Sequence, residues 1–266
     1  MRTLTLLAAF ACALTPVAAD EVISNGGFNS GFAGWTLANQ AGSDGSFFLQ
    51  TSTSSPVNGD TVPAPPGPPT AAMTDAQGPG THVLYQDFVV PIPVTSAILS
   101  FDAFIGNRAN AFFVPSPASL DFAAPAFNQQ ARVDLLLGST TAFSVSSGDV
   151  LLNLFQTTPG GPLVTGYTAH SLDIASVLND HLNTPLRLRF AETDNVFSFQ
   201  FGVDDVSLVT TPSAVPEPSA GASTAIGALM LLAFFIVGRI VNLRQAAGPA
   251  GAPVGSAARL SKLRHK

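Results

Sequence analysis

The chain reads as an all-β protein, an antiparallel β-sandwich followed by a single C-terminal transmembrane helix. Three observations predict this. Phe197, Phe199, Phe201 and Val203 alternate with Ser198, Gln200 and Gly202, and similar runs recur through the interior. Successive strand side chains point to opposite faces, so period-two runs make half-buried strands. The connections are rich in the chain's 23 glycines and 21 prolines, which interrupt ladders and build turns. Last, residues 220–238 form an apolar run broken only by Ser223 and Thr224.

Residues 1–19 begin with Arg2, continue through the apolar stretch Leu4–Leu14 and end in Val17-Ala18-Ala19. A positive start, a short apolar core and a small-residue site predict a signal peptide cut before Asp20. Strands are expected near Val22–Ser24, Trp35–Ala38, Ser46–Gln50, Ala71–Thr74, Val83–Val90, Leu99–Ile105, Arg132–Leu137, Leu151–Phe155, Thr168–Leu172 and Leu186–Phe190. A last strand runs through Phe197–Val203 and on to Val206 and Leu208. One helical turn is expected over Ile174–His181, where Ala175, Val177 and Leu178 break the alternation, with Asp173 placed to cap it. Residues 56–69 and 107–130 read as insertions. The first holds five prolines within Pro63–Pro69 and is expected to be an exposed loop. These elements form one domain, residues 20–211.

Residues 212–219 are a linker. The apolar run 220–238 would span about 28 Å as a helix, close to a bilayer core. It shows no polar face, unlike a helix on a soluble core. Residues 239–266 form a basic tail with six Lys and Arg. Basic residues after a span mark the cytoplasmic side, so the domain is expected to be exported and anchored with its bulk outside.

The domain carries 16 acidic residues against four basic ones, Arg108, Arg132, Arg187 and Arg189. That balance repels phosphates and argues against a nucleic-acid partner. The single cysteine, Cys12, lies in the signal peptide, so disulfides and thiolate sites are excluded from the mature domain. Phosphate-binding glycine loops and nucleophile motifs are absent from the chain. The histidines His82, His170, His181 and His265 lack helical metal-ligand spacing. Glu192 and Asp194 share a face only if their strand continues, and Asn195 suggests a turn there. Trp35 is expected in the core rather than on a sugar-stacking surface, and Phe112-Phe113 would matter if exposed. No catalytic residue is assigned.

Asp204-Asp205 is the strongest candidate site. Adjacent strand residues diverge, so the two carboxylates cannot converge as a catalytic pair. The apolar phase switches there, from odd positions up to Val203 to even ones at Val206 and Leu208. A β-bulge would account for that.

Asn25-Gly26-Gly27-Phe28-Asn29-Ser30-Gly31, followed by Gly34-Trp35, resembles the opening strand of carbohydrate-binding-module-like jelly rolls. Phe201-Gly202-Val203-Asp204-Asp205-Val206-Ser207-Leu208 resembles their last strand. Tyr85–Pro91 and Leu186–Phe190 fit strands between. The resemblance covers most of residues 21–209 outside the insertions, and it makes the expected sandwich jelly-roll-like. It implies a structural calcium held by Asp204, Asp205, Asn25 and Asn29, although Asn29 stands where that family has Glu. Val215-Pro216-Glu217-Pro218, the apolar span and Arg239 resemble the PEP-CTERM sorting signal, with Pro216, Glu217, Pro218 and Arg239 as its motif. Arg239 and Arg244 are spaced rather than clustered, and 22 residues follow Arg244, both departures from that pattern.

The resemblances imply a non-catalytic exported protein. It would be sorted by an exosortase-type enzyme, associate with exopolysaccharide or envelope glycans in the biofilm matrix, and carry a capacity for glycan binding. A glycan-processing hydrolase and a purely structural or adhesive envelope protein are the alternatives.

Overall fold

The computed structural model describes residues 18–67, 69–213, 227–237 and 239. The described residues up to 213 lie in one compact unit, and residues 227–237 and 239 in a second. Residues 1–17 of the expected signal peptide, Pro216, Glu217, Pro218 and the tail beyond Arg239 lie outside the described residues. Residues 227–237 are helical and expose Met230, Phe234 and Phe235. Among the described residues no helix is long and apolar enough to cross a membrane, and much of the expected 220–238 span lies outside them.

Alternation places the strands close to where the sequence predicts them: β1 (Asp20–Glu21), β2 (Thr36–Asn39), β3 (Ser46–Gln50), β4 (Ala71–Asp75), β5 (Gly80–Phe88), β6 (Val94–Asn107), β7 (Gln129–Leu137), β8 (Val150–Gln156), β9 (Thr168–Asp173), β10 (Leu186–Asp194) and β11 (Phe199–Pro212), with α1 (Ala175–Asp180) between β9 and β10. One sheet runs β3-β4-β11-β6-β9, with β1 also on β11; the other runs β2-β5-β10-β7-β8. Every pairing is antiparallel. The inward side chains interdigitate: Phe101 of β6 meets Phe190 of β10 edge-on at 5.5 Å, and Trp35 lies 6.0 Å from Phe190. The molecule is a two-sheet antiparallel β-sandwich.

Five local expectations are corrected. The first strand is Asp20–Glu21 rather than Val22–Ser24, because Ile23 and Ser24 already turn toward the glycine motif. The last strand starts at Phe199, and Phe197 lies in a bend, 61 % exposed. β10 runs on through Glu192 and Asp194, still paired with Thr81, Gly80 and Gln129, so the turn comes after both acids. The insertions are also more than exposed loops. Val62 is buried with Met73 and Phe104 on the outer face of the β11 sheet, and Leu120 is buried with Val83 and Ala191 on the outer face of the β10 sheet. Each insertion therefore covers one outer face, while Phe112 enters the main core beside Phe199. The N-cap of α1 is Ile174 rather than Asp173, although Asp173 accepts the Ala175 N–H at 2.9 Å from one position earlier.

Candidate functional site

The glycine-rich turn and the bulge on β11 meet in space. Pairing with β6 slips between Asp204 and Ser207, and Asp205 takes the left-handed conformation (φ 48°), which Asp tolerates better than most residues. The expected bulge is present, and both carboxylates lie beside Gly67. Asp204 is buried on the outer face, accepting the N–H of Gly67 at 2.9 Å and of Asp205 at 2.8 Å; Asp205 is exposed. Burial pushes the Asp204 pKa up to about 7 against those two hydrogen bonds, helped by the charges of Asp205 and Asp102. Asn25 is committed elsewhere: Oδ1 accepts the Ser30 N–H, and Nδ2 donates to the carbonyls of Gly31 and Ala33. Its own carbonyl receives the indole N–H of Trp35, which is buried against Phe28 and Phe190, a core position as predicted. Asn29 and Asp205 both approach Gly27. The turn and bulge thus supply Asp204, Asp205 and Asn29 to one neighbourhood, whereas Asn25 shapes the turn.

All four arginines of the domain are paired. Arg189, fully buried, and Arg132 both reach Asp134 on the outer face of the β10 sheet. Arg187 clasps Asp87 and lies 4.0 Å over the ring of Tyr85, and Arg108 pairs with Asp60 at 2.9 Å. Arg189 also donates to the carbonyls of Ala142 and Ser144, binding the 138–149 loop to the sheet. These side chains serve the fold and leave no arginine of the domain free for an anion.

One end of the sandwich interior brings together three groups the sequence did not connect. His82 lies opposite Glu192 across β5 and β10, and Asp194 follows two residues on, facing the same way. All three are buried, and their ligand-type atoms lie within 4.8 Å of one another.

An open cleft separates the edge strands β8 and β9. It encloses about 190 Å³ and is lined by Phe112, Phe155, Gln156, Thr158, Thr168 and His170 among others. The ring of His170 stacks on Phe101 at 4.9 Å and meets Phe155 edge-on at 5.0 Å. Burial lowers the His170 pKa, opposed by the Asp102 charge, which favours the neutral imidazole. Half-buried Phe155 offers an apolar ring face, with hydroxyls at Thr158 and Thr168 and an amide at Gln156 beside it.

No protein family matches the chain, and no curated protein does. Solved structures do. The Stig cyclase of Fischerella sp. TAU is 16 % identical over 74 % of this chain and 100 % of its own, with a TM-score of 0.43. The cleaved adhesin domain of Lys-gingipain from Porphyromonas gingivalis is 14 % identical over 72 % and 99 %, at 0.41. The family 11 carbohydrate-binding module of Clostridium thermocellum, solved with a mixed-linked tetrasaccharide, is 12 % identical over 75 % and 100 %, at 0.37. Likenesses this low say nothing of function, and the sandwich rests on its own strand pairing.

The edge cleft left no signal in the sequence, and the His82 cluster only a faint one. Both are assembled by strand order across the sheets, not by spacing along one segment. The one available hint was the alternation that puts Glu192 and Asp194 on the same face once β10 is extended past Arg189.

Proposed function

We propose that residues 20–211 form a non-catalytic, exported glycan-binding sandwich that takes a neutral sugar chain in the cleft between β8 and β9. The observation that carries this reading is the cleft's lining: a half-buried aromatic ring at Phe155, a histidine that favours the neutral form, and hydroxyl and amide groups around them. Aromatic rings bury the apolar face of a sugar, and a few polar groups around them fix its orientation. A neutral rather than acidic glycan follows from charge, since every arginine of this acidic domain is already paired.

A hydrolase is disfavoured by access. Glu192 and Asp194 converge, but at 1 % and 2 % exposure a sugar cannot reach between them. Asp204 is likewise buried, and only Asp205 is open to solvent.

We further propose that the protein is sorted by an exosortase-type enzyme through Pro216, Glu217, Pro218 and Arg239, anchored by the 220–238 segment, and retained in the exopolysaccharide matrix. The triplet, the apolar run and the exposed apolar side chains of helical residues 227–237 support this reading. A structural calcium at Asp204, Asp205 and Asn29 is part of the proposal, because a cation would relieve the crowding of Asp102, Asp204 and Asp205. The test is retention of the purified chain on neutral polysaccharide from the producing cell. Retention lost in Phe155→Ala supports the reading; no retention on any neutral polysaccharide leaves a structural or adhesive protein.

A further inference from the structure

The cluster at the end of the interior lines no part of the β8–β9 cleft, and its chemistry is specific. His82 Nδ1 lies 3.0 Å from the side-chain oxygen of Asn39, whose amide nitrogen donates to Ser46. A carbonyl oxygen only accepts, so Nδ1 carries the proton and Nε2 presents its lone pair to the cluster. Nε2 has no hydrogen-bond partner, and neither has Glu192 Oε1, although both are buried. Orphaned buried acceptors are costly, and two side by side need a shared positive partner. None of the domain's ion pairs involves Glu192 or Asp194.

We propose that His82 Nε2 and the carboxylates of Glu192 and Asp194 hold one first-row divalent cation of zinc type inside the sandwich. Two carboxylates and a neutral imidazole balance a double positive charge, which a buried site requires. One nitrogen and two oxygens suit zinc and its neighbours, whereas calcium takes six to eight oxygens. Asn39 supplies the outer contact that fixes the imidazole, as supporting groups do around metal-bound histidines. Gly80 leaves the space clear: a Cβ there would collide with His82 Nε2, and its N–H steadies Asp194 Oδ1 at 2.8 Å. Entry is from a cavity of about 230 Å³ that has Asp194 on its wall with Pro79, Asn195 and Ser198, wide enough for a water to complete the shell.

The experiment uses the full chain, purified in detergent, stripped with chelator and titrated by calorimetry with zinc chloride alone. One equivalent is expected to bind at micromolar affinity or tighter. Cobalt(II) is expected to give a visible absorption band that zinc abolishes and calcium leaves unchanged. Glu192→Gln has the shape of the protonated acid and should fold as the stripped protein does, yet bind zinc at least about 100-fold more weakly; Asn39→Ala should weaken it about tenfold. Unchanged zinc affinity in Glu192→Gln overturns the proposal, since the metal would then sit on other histidines. Should that variant not fold, the wild-type chain decides, and the absence of saturable one-to-one binding overturns the proposal.

Discussion

The backbones of Gly26 and Val206 are in direct contact: Gly26 accepts the Val206 N–H at 3.1 Å, and a Cβ on Gly26 would fall 1.7 Å from the Val206 carbonyl oxygen. This joins the two sequence motifs, the glycine turn and the Asp-Asp strand, into one structural unit. The second glycine is the control, because a Cβ on Gly27 would meet nothing closer than 3.4 Å. Gly26→Ala is expected to cost about 3 kcal/mol or to abolish folding, and Gly27→Ala less than about 1 kcal/mol. Urea unfolding of the two variants checks this.

Asp134 faces two guanidiniums in the covered outer face of the β10 sheet, and Asn153 also donates to it at 2.8 Å. Burial alone would raise its pKa, but the bonds and charges of Arg132 and Arg189 carry it below the usual value. Asp134→Ala leaves a fully buried Arg189 without its counter-ion and is expected to cost about 3–5 kcal/mol in denaturant unfolding.

The fold was legible in the sequence because alternation reports which face of a strand is buried, and Phe197–Leu208 even showed where the phase slips. The insertions were not. Val62 and Leu120 lie in proline- and alanine-rich segments, and only the sheet they cover makes them core. The same reason hid the His82 cluster: His82 and Glu192 are 110 positions apart and become neighbours only when β5 pairs with β10. Asn25 misled in another way, since a turn asparagine that caps its own loop looks in sequence like a free oxygen ligand.

Stability is expected to depend on pH through Asp204. Its folded-state pKa is about 7, against about 3.9 for a free aspartate. Above pH 4 the unfolded chain releases this proton while the folded chain keeps it, so the group's contribution falls as pH rises to about 7 and then levels off. The buried histidine His82 acts in the opposite sense as pH falls from 6.5 to about 4, so the variant comparison is needed to isolate Asp204. From pH 5 to pH 8 Asp204→Asn should gain about 2 kcal/mol relative to wild type in chelator. Saturating calcium is expected to shrink that gain, because a cation favours the ionised carboxylate. Melting curves at the two pH values, with and without calcium, test both points.

Trp35 fills the core between Phe28 and Phe190 and donates to the Asn25 carbonyl. Trp35→Phe removes volume and that hydrogen bond, and should cost about 2–3 kcal/mol. Glycan affinity of the folded variant should match wild type. A selective loss of affinity would place the sugar at Trp35 rather than at the edge cleft.

The most direct test of the glycan-binding account is calorimetric titration of the full chain with the neutral oligosaccharide that best represents the matrix polysaccharide, compared between wild type and Phe155→Ala. The account predicts saturable one-to-one binding by wild type, little affected by salt, and a loss of at least about tenfold in Phe155→Ala, titrated at a temperature where both proteins are folded. Equal affinity in the two proteins, or binding that vanishes with moderate salt, would contradict it.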